Sequence, residues 1–135
     1  MVAPAFTRYR DIAFAGACAP ISISIVAQVQ ALWITAYFDQ DPKLLSSVPD
    51  EKRMQESAVL HKRFEKWRYP DPAGYGSRYL DFVFDTIPYI DILLSDLGLK
   101  IWRKNGRIAE WSEAYGHEDY KGLIPEYPGL RKMTL

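Results

Sequence analysis

The stretch ISISIVAQVQALWITAYF, residues 21–38, decides how this sequence folds. It is longer than an ordinary strand, and Gln28, Gln30 and Leu32 place good helix formers in its middle, so it predicts a helix. Its apolar residues fall on every side. A helix apolar all round must be covered by the rest of its own chain or by a second copy, which leads us to expect a homodimer. A membrane span is not expected, because Ser22, Ser24, Gln28, Gln30 and Thr35 leave no run near the ~20 apolar residues a bilayer requires. Arg8 and Arg10 ahead of Ala17-Cys18-Ala19 imitate a signal peptide, yet Gly16 and Pro20 interrupt its apolar part. A cytoplasmic location is therefore expected, with secretion the lesser alternative.

Upstream, DIAFAGA (residues 11–17) alternates bulk at Ile12 and Phe14 before small residues, as a short strand would. Downstream, Ser47 or Asp50 can cap a helix running to about Trp67, with Met54, Ala58, Leu60, Phe64 and Trp67 on one face and His61 inside that stripe. The loop YPDPAGYGS, residues 69–77, gathers two prolines and two glycines and breaks the helix. YLDFVFDTIPYIDILLSDLGL (residues 79–99) predicts a second long helical stretch, kinked or split at Pro88, presenting Leu80, Val83, Phe84, Ile87, Ile90, Leu94 and Leu97 on one side. Asp81, Asp85 and Asp96 register on its solvent side, whereas Asp91 falls on the apolar arc. After an Asn105-Gly106 turn, RIAEWSEAYG predicts a short helix before a polar tail. The expected fold is mainly α: one small helical domain over residues 1–135, with one or two short β-strands, dimeric.

Composition narrows the function classes. Seventeen basic and seventeen acidic residues give a formal charge of zero, so the broad positive field of a nucleic-acid binder is missing. The single cysteine, Cys18, excludes an internal disulfide framework or a multi-cysteine metal site, and no metal is expected. Nineteen aromatics and 48% apolar residues argue against disorder.

Four segments in order, DIAFAGA, AQVQALWITAYF, IPYIDILLSDLGL and EWSEAYGHEDYKGLIPEY, resemble the C-terminal part of fungal flavin-containing monooxygenase-like proteins. The resemblance covers most of the chain. It implies a strand returning to an FAD domain, a helix beside the flavin, further helices closing the substrate side, and Gly16 as a point of close backbone approach. Such proteins need G-x-G-x-x-G turns to hold pyrophosphate, and this sequence has none: Gly74-Tyr75-Gly76 has Tyr79 in the third glycine's place and lies in a proline-rich loop. No bound cofactor is therefore expected.

Three residues are candidates for catalysis. Asp91 on an apolar face pays for desolvation unless paired or protonated, and a protonated acid can donate to a substrate oxygen. Its structural alternative is to stabilise a helix N-terminus begun at Pro88. His61, set among Met54, Leu60 and Phe64, can act as general acid or base, or be a core histidine. Tyr79 and Tyr89 can bond or stack on a ligand, or serve as amphipathic core edges. Tyr89 is the third catalytic candidate, and Tyr79 joins Trp33, Phe64, Trp67, Phe84 and Trp102 as candidate lining of an apolar substrate pocket. Asp81 with Asp85, and His117-Glu118-Asp119, read as solvated polar groups. The leading functional expectation is a cofactor-independent cyclase or isomerase, or a pericyclic catalyst, acting on an apolar secondary-metabolite intermediate. The alternatives are an accessory subunit or fragment of a flavin-dependent monooxygenase, and a non-catalytic protein that sequesters a hydrophobic ligand.

Overall fold

The computed structural model describes residues 12–16, 18–19, 22–48, 50–68, 80–81 and 85–127. Helix α1 spans Ile23–Phe38 within the predicted segment. It buries Ile25, Val26, Val29, Gln30, Leu32, Trp33, Ala36 and Tyr37, whereas Ser24, Ala27 and Ala31 face outward. Its outward positions between the ends are mostly small, while Ile23 and Phe38 at its two ends are exposed. It ends in paired backbone bonds, Asp41 N–H to Ala36 O at 3.0 Å and Gln40 N–H to Tyr37 O at 3.3 Å, with Gln40 at φ 56°. The chain then turns straight into α2, Pro42–Ser47. Asp41 Oδ1 caps α2 by accepting from Lys43 N–H at 2.8 Å and Leu44 N–H at 3.3 Å, and Pro42 occupies the first turn, where its missing N–H costs nothing.

Helix α3 spans Glu51–Arg68 as the sequence predicts, capped by Asp50 Oδ1 on Arg53 N–H at 2.8 Å. Its packing departs from expectation. Met54 is half-buried, but Ala58, Leu60, His61, Phe64 and Trp67 are exposed, Trp67 at 89%. None of its apolar side chains belongs to the core or to the partly buried residues packed against it.

The predicted second long helix is shorter. Helix α4 spans Thr86–Asp96, so Pro88 sits in its first turn, which is the split and not the kink of the two expected outcomes. Leu80 lies in a two-residue strand, β2 (Leu80–Asp81), parallel to β1 (Cys18–Ala19). The strand expected over residues 11–17 is therefore displaced: residues 12–16 are irregular, Ile12 and Phe14 are exposed, and pairing begins at Cys18. Val83 and Phe84 lie outside the described residues. On α4, Tyr89, Ile90, Leu93 and Leu94 are buried against α1, and Ile87 is exposed. Asp96, expected in solvent, is half-buried. The helix closes with Gly98 N–H on Ser95 O at 2.9 Å and Leu99 N–H on Leu94 O at 2.8 Å, and the φ of +67° at Gly98 is the left-handed conformation this ending uses.

Helix α5, Arg107–Ser112, follows the expected turn but buries nothing. The segment expected to be a polar tail is instead structural. A 3-10 turn at His117–Tyr120 and helix α6, Leu123–Glu126, bring Tyr120, Leu123 and Tyr127 into the core. The Tyr127 hydroxyl donates to Asp41 Oδ2 at 2.7 Å, joining the end of the described chain to the α1–α2 corner. The described molecule is thus mainly helical, and its core is α1, α2 and α4 closed by these last turns.

Candidate functional site

Helices α3 and α4 carry side chains with the same spacing: Ser57, Leu60, His61 and Phe64 on one, Asp85, Pro88, Tyr89 and Ile92 on the other. Each set repeats at three and four residues, so each forms a single stripe, and the stripes face each other across a groove of about 330 Å³. That volume is at the small end for ligand sites. Leu60, Phe64, Pro88 and Ile92 make its wall apolar, with Ser57, His61 and Asp85 adding polar groups, and Arg68 Nε lies 3.5 Å from Asp85 Oδ2.

Of the residues expected in a pocket, the structure brings together His61, Phe64 and Tyr89. His61 is exposed, which corrects the expectation of a buried histidine. The Tyr89 ring lines the groove while its hydroxyl accepts a bond from Gln30 Nε2 at 2.8 Å, inside the core. Gln30 Oε1 in turn accepts from Gly16 N–H at 2.8 Å, so a relay of hydrogen bonds links the segment before β1, α1 and α4. Gly16 has φ +72°, a backbone conformation that favours glycine, and no atom of the described residues lies within 4 Å of where a Cβ would stand.

The other aromatics are scattered. Trp33 is a core residue whose indole donates to Asp96 Oδ2 at 3.0 Å and stacks on Tyr37, with centroids 5.4 Å apart. Trp67 and Trp102 are exposed, at 89% and 65%. Tyr79 and Phe84 lie outside the described residues.

Asp91 projects away from the groove, because two residues along a helix turn it through about 200° from Tyr89. It is half-buried, and its Oδ1 is buried without a hydrogen-bond partner. Burial, and then the charge of Glu110, hold its carboxyl above the usual carboxylate range. The same arrangement surrounds Tyr120, whose hydroxyl is buried and unpartnered and whose ionisation is pushed up by burial and by the Asp91 charge. Tyr115 donates its hydroxyl proton to Glu110 and accepts from Arg103 N–H at 3.2 Å. Sequence reading identified Asp91 but missed Glu110, Tyr115 and Tyr120, which lie five residues apart, a spacing that matches neither a helix face nor a strand face. The expected union of Asp91 with His61 and Tyr89 in one site is not formed.

A larger cleft of about 540 Å³ holds Arg103, Lys104, Asp119 and Lys121, but its cations have internal partners. Arg103 donates to Asp119 O at 2.6 Å and Glu126 Oε2 at 2.8 Å; Lys104 Nζ lies 2.9 Å from Asp119 Oδ2; Lys121 Nζ lies 2.5 Å from Glu118 Oε2. The Gly116 N–H and then Lys104 hold the Asp119 carboxyl below its usual range, which makes this a structural knot. Among the described residues there is no group of three or more His, Cys, Asp or Glu that could hold a metal ion, and no helix is long and apolar enough to cross a membrane.

Comparison with known proteins follows the same lines. No protein family profile matches the sequence, and no solved structure matches it. The chain is 31% identical over 126 residues, 93% of its length, to the FAD-dependent monooxygenase DEP4 of Alternaria brassicicola, covering 20% of that protein. It is 31% identical over 118 residues, 87% of its length, to the FAD-dependent monooxygenase resA of Aspergillus sclerotiorum, covering 19%. The chain is homologous to part of the fungal FAD-dependent monooxygenases. It spans about one fifth of the length of the curated relatives it matches. Among the described residues of this monooxygenase-like segment, first-turn N–H groups of α2 and α3 are taken by the carboxylates of Asp41 and Asp50.

Proposed function

We propose that this chain serves as the helical C-terminal segment of a flavin-dependent monooxygenase, completing a catalytic body whose FAD is held by other polypeptide. The observation that carries the reading is the likeness over 93% of this chain to one fifth of an FAD-dependent monooxygenase. The described surface supports it, since Trp102, Ile108 and Trp111 are 65%, 82% and 91% exposed around α5, where an isolated domain gains nothing from apolar surface. The test supplies the chain in trans to the Alternaria brassicicola monooxygenase from which the matching fifth has been deleted. Co-elution of the two and recovery of oxygen uptake are expected. Failure to associate, or stoichiometric FAD retained by this chain alone, would overturn the reading.

A second reading, cofactor-independent conversion of an apolar intermediate, draws on the groove that sets His61 beside Leu60, Phe64 and Ile92. Shape and one proton-transfer group suffice for such a step. It requires turnover without flavin that is lost in His61→Gln, and unchanged turnover in that variant would remove His61 from it.

A further inference from the structure

We propose that the outward face of α3 is a docking surface for a bilayer interface containing anionic phospholipid. The whole chain is electrically neutral, yet α3 holds six Lys and Arg against three Glu. At about 100° per residue, Lys62, Lys66, Lys52 and Arg63 fall within one arc of about 100° that contains no acidic position. All four are exposed, and none is held in an ion pair by another described residue. Val59, 53% exposed, lies within the arc, Glu51 and Glu56 border it about 20° beyond its two edges, and Trp67, 89% exposed, stands just past Glu56.

Cations beside uncovered apolar groups are the composition of a helix lying in a membrane interface: the apolar side chains enter the acyl boundary, lysine and arginine stems extend toward the headgroups, and tryptophan sits between. The helix is long enough, at about 27 Å for its 18 residues. It binds to one side of a membrane and does not cross it. Negative phospholipid complements the positive arc, whereas a neutral or acidic surface on the partner would leave four cations unmatched or demand an acidic protein of matching shape. This surface is separate from the one around α5, and its test needs only the chain itself.

The experiment floats the full chain with phosphatidylcholine vesicles, with and without phosphatidylserine. Binding is expected only with phosphatidylserine, weakening as salt is added, and accompanied by a blue shift in tryptophan emission that Trp67→Phe abolishes. Replacing Lys62, Arg63 and Lys66 together by Gln should lower partitioning about a hundredfold, since each cation near an anionic surface is worth roughly fivefold. Circular dichroism establishes that this variant keeps its helices. Three results would overturn the proposal: no binding to anionic vesicles at low salt, equal binding by the triple Gln variant, or retention on immobilised polyglutamate without vesicle binding, which would assign the face to an acidic protein.

Discussion

Replacing Tyr89 by Phe removes one oxygen from the relay that joins Gly16, Gln30 and Tyr89. Gln30 is 3% exposed and Tyr89 5%, so water cannot easily take the place of the acceptor that Gln30 Nε2 loses at 2.8 Å. The loss is the net hydrogen bond plus the desolvation already suffered by the buried amide, about 1–3 kcal/mol. For a domain of this size that corresponds to a fall in melting temperature of roughly 5–10 °C. Gln30→Leu removes the other partner and also releases Gly16 N–H, so its cost should be comparable. The double variant, with neither polar group in the core, should lose less than the sum, by about 1 kcal/mol. Urea unfolding followed by far-ultraviolet circular dichroism on the four proteins of the cycle measures that difference. Strict additivity, or a Tyr89→Phe protein as stable as the parent, would refute the reasoning and return Tyr89 to the groove as a candidate for chemistry.

Asp91→Asn should stabilise the fold by about 1 kcal/mol at neutral pH and by nothing in acid. The sign follows from the raised carboxyl: folding favours the protonated form, so the parent is most stable below the ordinary carboxylate range and loses stability as pH climbs through the raised value. Unfolding midpoints across that range check it, and a variant with the parent's pH slope contradicts it. Trp33→Phe should cost about 1–2 kcal/mol at neutral pH and less in acid, because the indole is the donor that partly offsets the burial of Asp96. Equal losses at both pH values would show that packing alone is at stake. Leu94→Ala, at a fully buried position between α4 and α1, should cost about 2–5 kcal/mol in the same assay.

Local rules that act within a few residues were legible before any coordinates. The lengths of α1 and α3, a cap at Ser47 or Asp50 and the Asn105-Gly106 turn ahead of α5 all depend on neighbours in the chain and were read from spacing and cap chemistry, and the structure chose Asp50. The start of α4 at Thr86 was not legible, because Pro88 tolerates either a kink or a first turn, and the structure has the first turn. The candidate site divided in the same way. Asp91 was recognisable as an acid on an apolar arc, and its turn away from Tyr89 follows from two residues of helix, but its separation from His61 depends on which side of α4 meets α3.

By itself, then, the sequence determined that this is a mainly helical chain, that Asp91 is partly withdrawn from water, and that it resembles part of a flavin monooxygenase. Tertiary structure alone decided which amphipathic faces are covered. Periodicity reports that a helix has an apolar side but not whether anything lies against it, which is why Leu60, Phe64 and Trp67 read as core and stand at the surface. That Lys52, Lys62, Arg63 and Lys66 share one side of α3 follows from helical periodicity in the sequence, and the tertiary structure decided that this side is exposed.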